Sequence, residues 1–316
     1  MKLPLRIGII FFGLVSLAAF IVSVSMVVGL YTGRFRDDGP DINYHFALYL
    51  PDNRNSFFNE IIAGAERAAA ELNAVITIHS IDPAKNELEM APYTGADGFI
   101  VCPYLEDSLA RRQLDRISGR NSPLVIINHT VPNDQPWPFI GTNNFDVGRR
   151  MGFLAENKND DPIHLAVVYS DKSPGIFGER ELVEMGITAA IGGSLASPIM
   201  GLKTNINPMD AEALLYRLFR DEPRINTIIF TDANDTIAAA QTLVDMNLVG
   251  KVRITGFGDD EVILEYIRKG IIAGTVVTNP DRIGYEAVRS LASLRSTGYT
   301  SASIDTGVRV VDGGSL

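Results

Sequence analysis

The chain is poor in cysteine, poor in histidine and without a basic cluster, and each shortage removes a class of function. One cysteine, Cys102, stands among 316 residues. A lone thiol forms no disulfide within the chain and no cysteine metal site. Cys102 follows the apolar run Gly98-Phe99-Ile100-Val101 and reads as a buried structural thiol. The four histidines, His45, His79, His129 and His164, include no pair four residues apart that would grip zinc from one helix face. Net charge is −10, and no run of Lys and Arg occurs beyond the N-terminal segment. Nucleic acid is therefore not expected as a partner, because phosphate binding needs a basic face.

Catalytic constellations are missing as well. There is no glycine-flanked serine elbow and no glycine-rich phosphate loop ending in Lys and Ser or Thr. Gly256-Phe257-Gly258 lacks the third glycine of a dinucleotide fingerprint. Asp259-Asp260-Glu261 lacks the spacing of a calcium loop and reads as acid placed at the positive end of a helix. The expectation is a protein that is not an enzyme, with no cofactor and no metal.

What is present begins with an uncharged run of 25 residues, Ile7 to Tyr31. As a helix it would extend about 37 Å at ~1.5 Å per residue, more than the ~30 Å of a bilayer's hydrocarbon core. A secretory signal has a shorter apolar region and a small-residue cleavage site, for which Ser23 and Ser25 are poor material. An uncleaved signal anchor over 1–40 is the favoured reading. Lys2 and Arg6 before the run balance Arg34 and Arg36 after it, so charge alone does not orient the segment.

The remaining residues, 46% apolar and 21% charged over the whole chain, suffice for two cores. Short apolar runs alternate with helical patterns: Tyr44 to Leu50, Val75 to Ile78, Gly98 to Val101, Leu124 to Ile127, Leu165 to Tyr169, Thr227 to Phe230, Val252 to Thr255 and Ala273 to Val276. Helices are expected over Phe57 to Leu72, Ala233 to Met246 and Asp260 to Lys269. Continuous apolar strands separated by helices imply parallel sheets covered on both faces. About ten such units exceed one comfortable sheet, so two doubly wound α/β domains are expected. Ligands in such folds collect beyond the carboxyl ends of strands. Those ends carry Asn128-His129, Asp232-Ala233-Asn234-Asp235, Asp259-Asp260 and Thr278-Asn279, a set rich in groups that bond hydroxyls.

Four of these segments, in order, carry a resemblance. Asn55-Ser56-Phe57-Phe58 resembles the Asn-Pro-Phe-Phe that follows the first strand in periplasmic sugar-binding proteins of the ribose-binding type, whose fold also forms the core of lactose-repressor-type regulators. Phe230 to Asp235 resembles a strand end bearing a ligand Asn, Ile254 to Gly258 a Val-Gly-Phe-Asp strand end, and Thr275 to Gly284 a segment crossing between domains. The resemblance covers roughly residues 42–312.

It implies two parallel-sheet lobes joined by a three-segment hinge, with crossings near Asn143-Asn144, Thr278-Asn279 and Ser303-Ile304. Lobe 1 would comprise 41–142 and 279–303, and lobe 2 143–278 and 304–316, behind an N-terminal transmembrane helix. The site residues it implies are Asn55, Phe57, Phe58, Asn128, His129, Arg180, Asn234, Asp259 and Thr278. The family's ligand Asp after Gly-Phe is replaced by Gly258, with Asp259 or Asp260 in reach, and its second-lobe Arg matches Val183 unless Arg180 serves. Trp137, between two prolines, is placed to stack on a sugar or to cover the hinge.

The implied function is an extracytoplasmic solute-binding protein that captures a monosaccharide or related polyol for a membrane permease of an ATP-driven sugar importer. The alternative is a membrane-tethered sugar sensor for a two-component kinase or chemoreceptor. A transcriptional regulator would need a basic helix-turn-helix where this chain has an apolar run.

Overall fold

The computed structural model describes residues 3–31, 43–51, 56–82, 87–120, 122–134, 137–156, 162–170, 179–205, 207 and 209–316. The chain divides into two compact units, 1–42 and 43–316. The first is a helix, α1 (Leu3–Tyr31). Side chains are described over 13–28, a stretch of about 24 Å at ~1.5 Å per residue. Among the described residues no helix is long and apolar enough to cross a membrane. The segment expected to span a membrane is helical over Leu3–Tyr31.

The second unit holds two six-stranded sheets. The first runs β11-β5-β4-β3-β1-β2, where β1 is Tyr44–Pro51, β2 Ala74–Ile81, β3 Gly98–Val101, β4 Leu124–Ile127, β5 Phe139–Gly141 and β11 Ser303–Asp305. The second runs β12-β10-β9-β8-β6-β7, where β6 is Leu165–Ser170, β7 Met200–Thr204, β8 Thr227–Phe230, β9 Arg253–Phe257, β10 Gly274–Thr278 and β12 Val308–Asp312. All pairings are parallel except β10 with β12.

Burial explains the unbroken apolar strands. Phe46, Leu48 and Leu50 of β1 face one cluster while Ala47 and Tyr49 face another. A strand buried on both faces has no polar side to alternate with. Helices α2 (Ser56–Glu71), α4 (Asp107–Ser118) and α10 (Pro280–Thr297) cover the first sheet. The second is covered by α5 (Asn144–Ala155), α6 (Arg180–Ile191), α7 (Asp210–Asp221), α8 (Ala233–Asp245) and α9 (Glu261–Arg268). The short α3 (Glu87–Met90) lies between β2 and β3.

Two helix pairs pack through glycine. A Cβ on Gly284 of α10 would stand 1.9 Å from the Ile61 carbonyl oxygen of α2. In the second lobe a Cβ on Gly148 of α5 would stand 2.0 Å from the Val183 carbonyl oxygen of α6. Only a missing side chain lets these backbones approach so closely.

The chain passes between the lobes three times: after β5, after β10 and after β11. Pairing of Ile304 with Ile140 keeps Ser303–Asp305 in the first sheet. The third passage therefore follows Asp305, two residues beyond the expected place, because these residues extend that sheet's edge. The outer crossings lie side by side. Thr142 and Thr306 hydroxyls are 3.4 Å apart, and Thr306 also donates to the Gly141 carbonyl at 3.1 Å.

Candidate functional site

The strand ends of both lobes open onto a cleft of about 700 Å³. Its first-lobe wall is aromatic and amide. Phe57 and Phe58 open α2, with ring centroids 5.3 Å apart and nearly perpendicular, and Phe58 meets Tyr104 edge-on at 6.2 Å. Such edge-to-face rings hold one another in place, with Phe58 2% exposed in the first-lobe core and Phe57 half-buried at the cleft. Asn128 ends β4 with φ 62°, a left-handed conformation that Asn tolerates better than most residues. Its amide donates to the Tyr104 hydroxyl at 3.1 Å, leaving the side-chain carbonyl for the cleft. Directly behind, Cys102 is fully buried. Burial pushes its thiol far up, against the pull of an Asn128 bond, so it is inert.

The second-lobe wall begins at Asp232, which accepts the Asp235 amide at 3.1 Å and caps α8. The cap sets Ala233 and Asn234 on the cleft surface. Opposite them, Gly258 has φ 90°, and a Cβ there would come 2.9 Å from the Ala233 Cβ. That is why glycine, not the resembled aspartate, occupies this strand end. The acids fall on Asp259 and Asp260 instead, and Asp259 accepts a bond from Arg309 of β12 at 2.8 Å. The hinge supplies Thr142, Asn144, Thr278, Asn279 and Thr306.

Acid faces acid across this space. Glu60 of α2 lines the first-lobe side, and its carboxyl is raised above the ordinary value by burial, then by Asp259, Asp281 and Asp260. Among the described residues no three His, Cys, Asp or Glu side chains gather as a metal site.

Of the residues named from the sequence, Phe57, Phe58, Asn128, Asn234, Asp259 and Thr278 line the cleft together. Asn55 lies outside the described residues. His129 is not a lining residue. Its ring stacks on Tyr104 at 5.7 Å, with Nε2 4.0 Å from the Asp107 carboxylate and Nδ1 buried without a partner. Burial lowers its pKa, against Glu179 and Asp107. Arg180 is exposed at the start of α6 and does not line the cleft among the described residues. Trp137 is packed in the core and is not among the cleft-lining residues. It is 8% exposed in the cluster under α4, its indole donating to Ser118 at 2.7 Å.

Sequence reasoning missed Glu60, Tyr104, Asn144 and Arg309. Tyr104 stands just past the end of β3, so the strand-end rule would have found it. Glu60 lies on a helix face, and Arg309 enters on an antiparallel edge strand, where that rule has no reach.

Residues 46–298 match the family described as periplasmic binding protein domain. Solved structures of similar fold include a glucose-galactose binding protein from Geobacillus stearothermophilus, with TM-score 0.73 and 24% identity over 86% of this chain and 98% of that one. A carbohydrate transporter solute-binding protein from Agrobacterium radiobacter, in complex with D-arabinose, has TM-score 0.72 and 18% identity over 86% and 95%. A sugar-binding protein of a sugar ABC transporter from Bacillus halodurans has TM-score 0.73 and 17% identity over 86% and 98%. No curated protein sequence is a significant match.

Proposed function

The chain belongs to the periplasmic binding protein domain family, a family of binding proteins rather than enzymes, and on that premise we propose that it captures a monosaccharide or related polyol by closing its two lobes. One observation carries this reading: a single cleft takes its lining from both sheets and from the hinge strands between them. A ligand that touches both walls favours the closed arrangement and shifts the population towards it. Amides of Asn128 and Asn234 suit hydroxyls, and the Phe57 ring, backed by the buried Phe58, suits the apolar face of a sugar. The names of the similar structures, which bind glucose and galactose or hold D-arabinose, support a sugar.

The closed form would be delivered to the permease of an importer outside the cytoplasm, with α1 as the membrane anchor. Helix α1 spans 29 residues and, beyond Arg6, carries no charged side chain, which supports an anchor. A second reading is favoured by the same helix. No cysteine stands between the apolar run and Cys102, and a protein tethered by its own helix suits a sensor subunit for a kinase or chemoreceptor. In both readings the lobes are divided near 142, 278 and 305.

The test is a thermal-shift screen of the full chain against pentoses, hexoses and polyols. A ligand at about 100 times its dissociation constant adds ~2.7 kcal/mol to stability, a clear upward shift. No shift with any of them would overturn the sugar reading.

A further inference from the structure

The charges lining the cleft narrow the ligand further, an inference that rests on the sugar-binding reading above. Among the described residues four carboxylates line the space, those of Glu60, Asp232, Asp259 and Asp260, with one guanidinium, that of Arg309. Two of the acids are engaged. Arg309 bonds Asp259 at 2.8 Å, and Asp232 caps α8. Arg67, about two turns further along α2 than Glu60, is held by both oxygens of Asp281 at 2.7 Å. Among the described residues Glu60 on the first lobe and Asp260 on the second therefore have no cation, and the two face one another across the opening. Asp260 does not even cap the helix it precedes.

Closing the lobes draws these two like charges together while removing water between them, which strengthens their repulsion. A neutral sugar leaves that repulsion in place. A uronate or sugar phosphate adds a third negative charge, with no free cation among the described lining residues to receive it. An ammonium group between the two carboxylates reverses the sign of the interaction and gives each a charge-assisted hydrogen bond. A bare divalent ion is a poorer fit, since no three-ligand metal cluster exists among the described residues.

We propose that the cleft selects a hydroxylated ligand bearing a protonated amine, an amino sugar or amino polyol, with Glu60 and Asp260 receiving the ammonium from opposite lobes. The hydroxyls then fall to Asn128 and Asn234, and the ring to Phe57.

Titration calorimetry on the full chain tests this with matched sets: glucose, glucosamine and glucuronate, and their galactose counterparts. At low ionic strength the amine should bind at least about tenfold more tightly than its neutral parent, equivalent to ~1.4 kcal/mol, and the uronate not measurably. The preference should shrink as salt screens the charges. In the Glu60→Gln/Asp260→Asn double variant the ratio of amine to neutral affinity should fall towards one. Each single variant is read as well, so the ratio is obtained without relying on the double variant folding. A neutral parent that binds as tightly as its amine overturns the inference and leaves the sugar reading standing. So does an amine preference that survives both substitutions. No binding by any member overturns the inference, and the thermal-shift screen of pentoses, hexoses and polyols then decides the sugar reading separately.

Discussion

Thr130 of the first lobe donates both its amide and its hydroxyl to one carboxylate oxygen of Glu179 in the second, at 3.3 and 2.5 Å. The other Glu179 oxygen accepts from Asn144, just past the first crossing, at 2.8 Å. One carboxylate thus ties the loop after β4 to the start of α6 and to the hinge, fixing the lobes at the separation seen.

Glu179→Ala should release that tie. Each hydrogen bond of this kind contributes about 0.5–1.5 kcal/mol, enough to raise local opening several-fold. Amide hydrogen exchange at Thr130 should quicken while the strand interiors keep their rates. Unchanged exchange at Thr130 would mean the bond does not restrain the lobes.

Asn234→Ala should weaken ligand binding by roughly 1–3 kcal/mol, because a ligand hydroxyl loses its partner in the closed cleft. Calorimetry with the ligand found by screening checks this. Unaltered affinity would remove Asn234 from the site.

His129 gives stability a pH dependence. Burial holds its folded pKa below the ordinary 6.5, so the unfolded chain takes up the proton more readily than the folded one. The stability that neutral His129 contributes is present above pH 6.5 and is lost as pH falls towards the folded value. Asp107, Glu179 and the Tyr104 ring are the groups that face it, and the two carboxylates moderate the effect. His129→Phe should lose less stability than the parent on acidification below 6.5, read from thermal midpoints at successive pH. Parallel profiles would contradict this.

Gly284→Ala should destabilise by about 1–3 kcal/mol or more, as overpacking does, since its Cβ would fall 1.9 Å from a carbonyl oxygen. Gly193→Ala, with open space around it, is the control and should leave the thermal midpoint near the parent's. Equal midpoints for both would refute the close packing of α2 and α10.

Much of the fold was legible because doubly buried strands are continuous apolar runs. Gly98–Val101, Leu124–Ile127 and Thr227–Phe230 emerge with the bounds read from sequence. Four strands were not foreseen. β5 and β11 are three residues each, too short for a period to register. β7 is interrupted by Gly201 and Lys203, and β12 alternates Val with Arg309 as an antiparallel edge. In the site, strand-end polar residues were legible, whereas Glu60 and Glu179 were not. Their roles come from facing across a gap between segments far apart in the chain, which no local pattern encodes.

The most direct test of the account follows the distance between lobes as ligand is added. Cys102 is fully buried, so spin labels on Asn59→Cys and Glu261→Cys, both exposed rim positions on opposite lobes, attach selectively. Pulsed electron resonance should show the inter-label distance shorten and its distribution narrow as the sugar saturates the protein. Saturable binding with an unchanged distance distribution would contradict closure of the two lobes on the ligand.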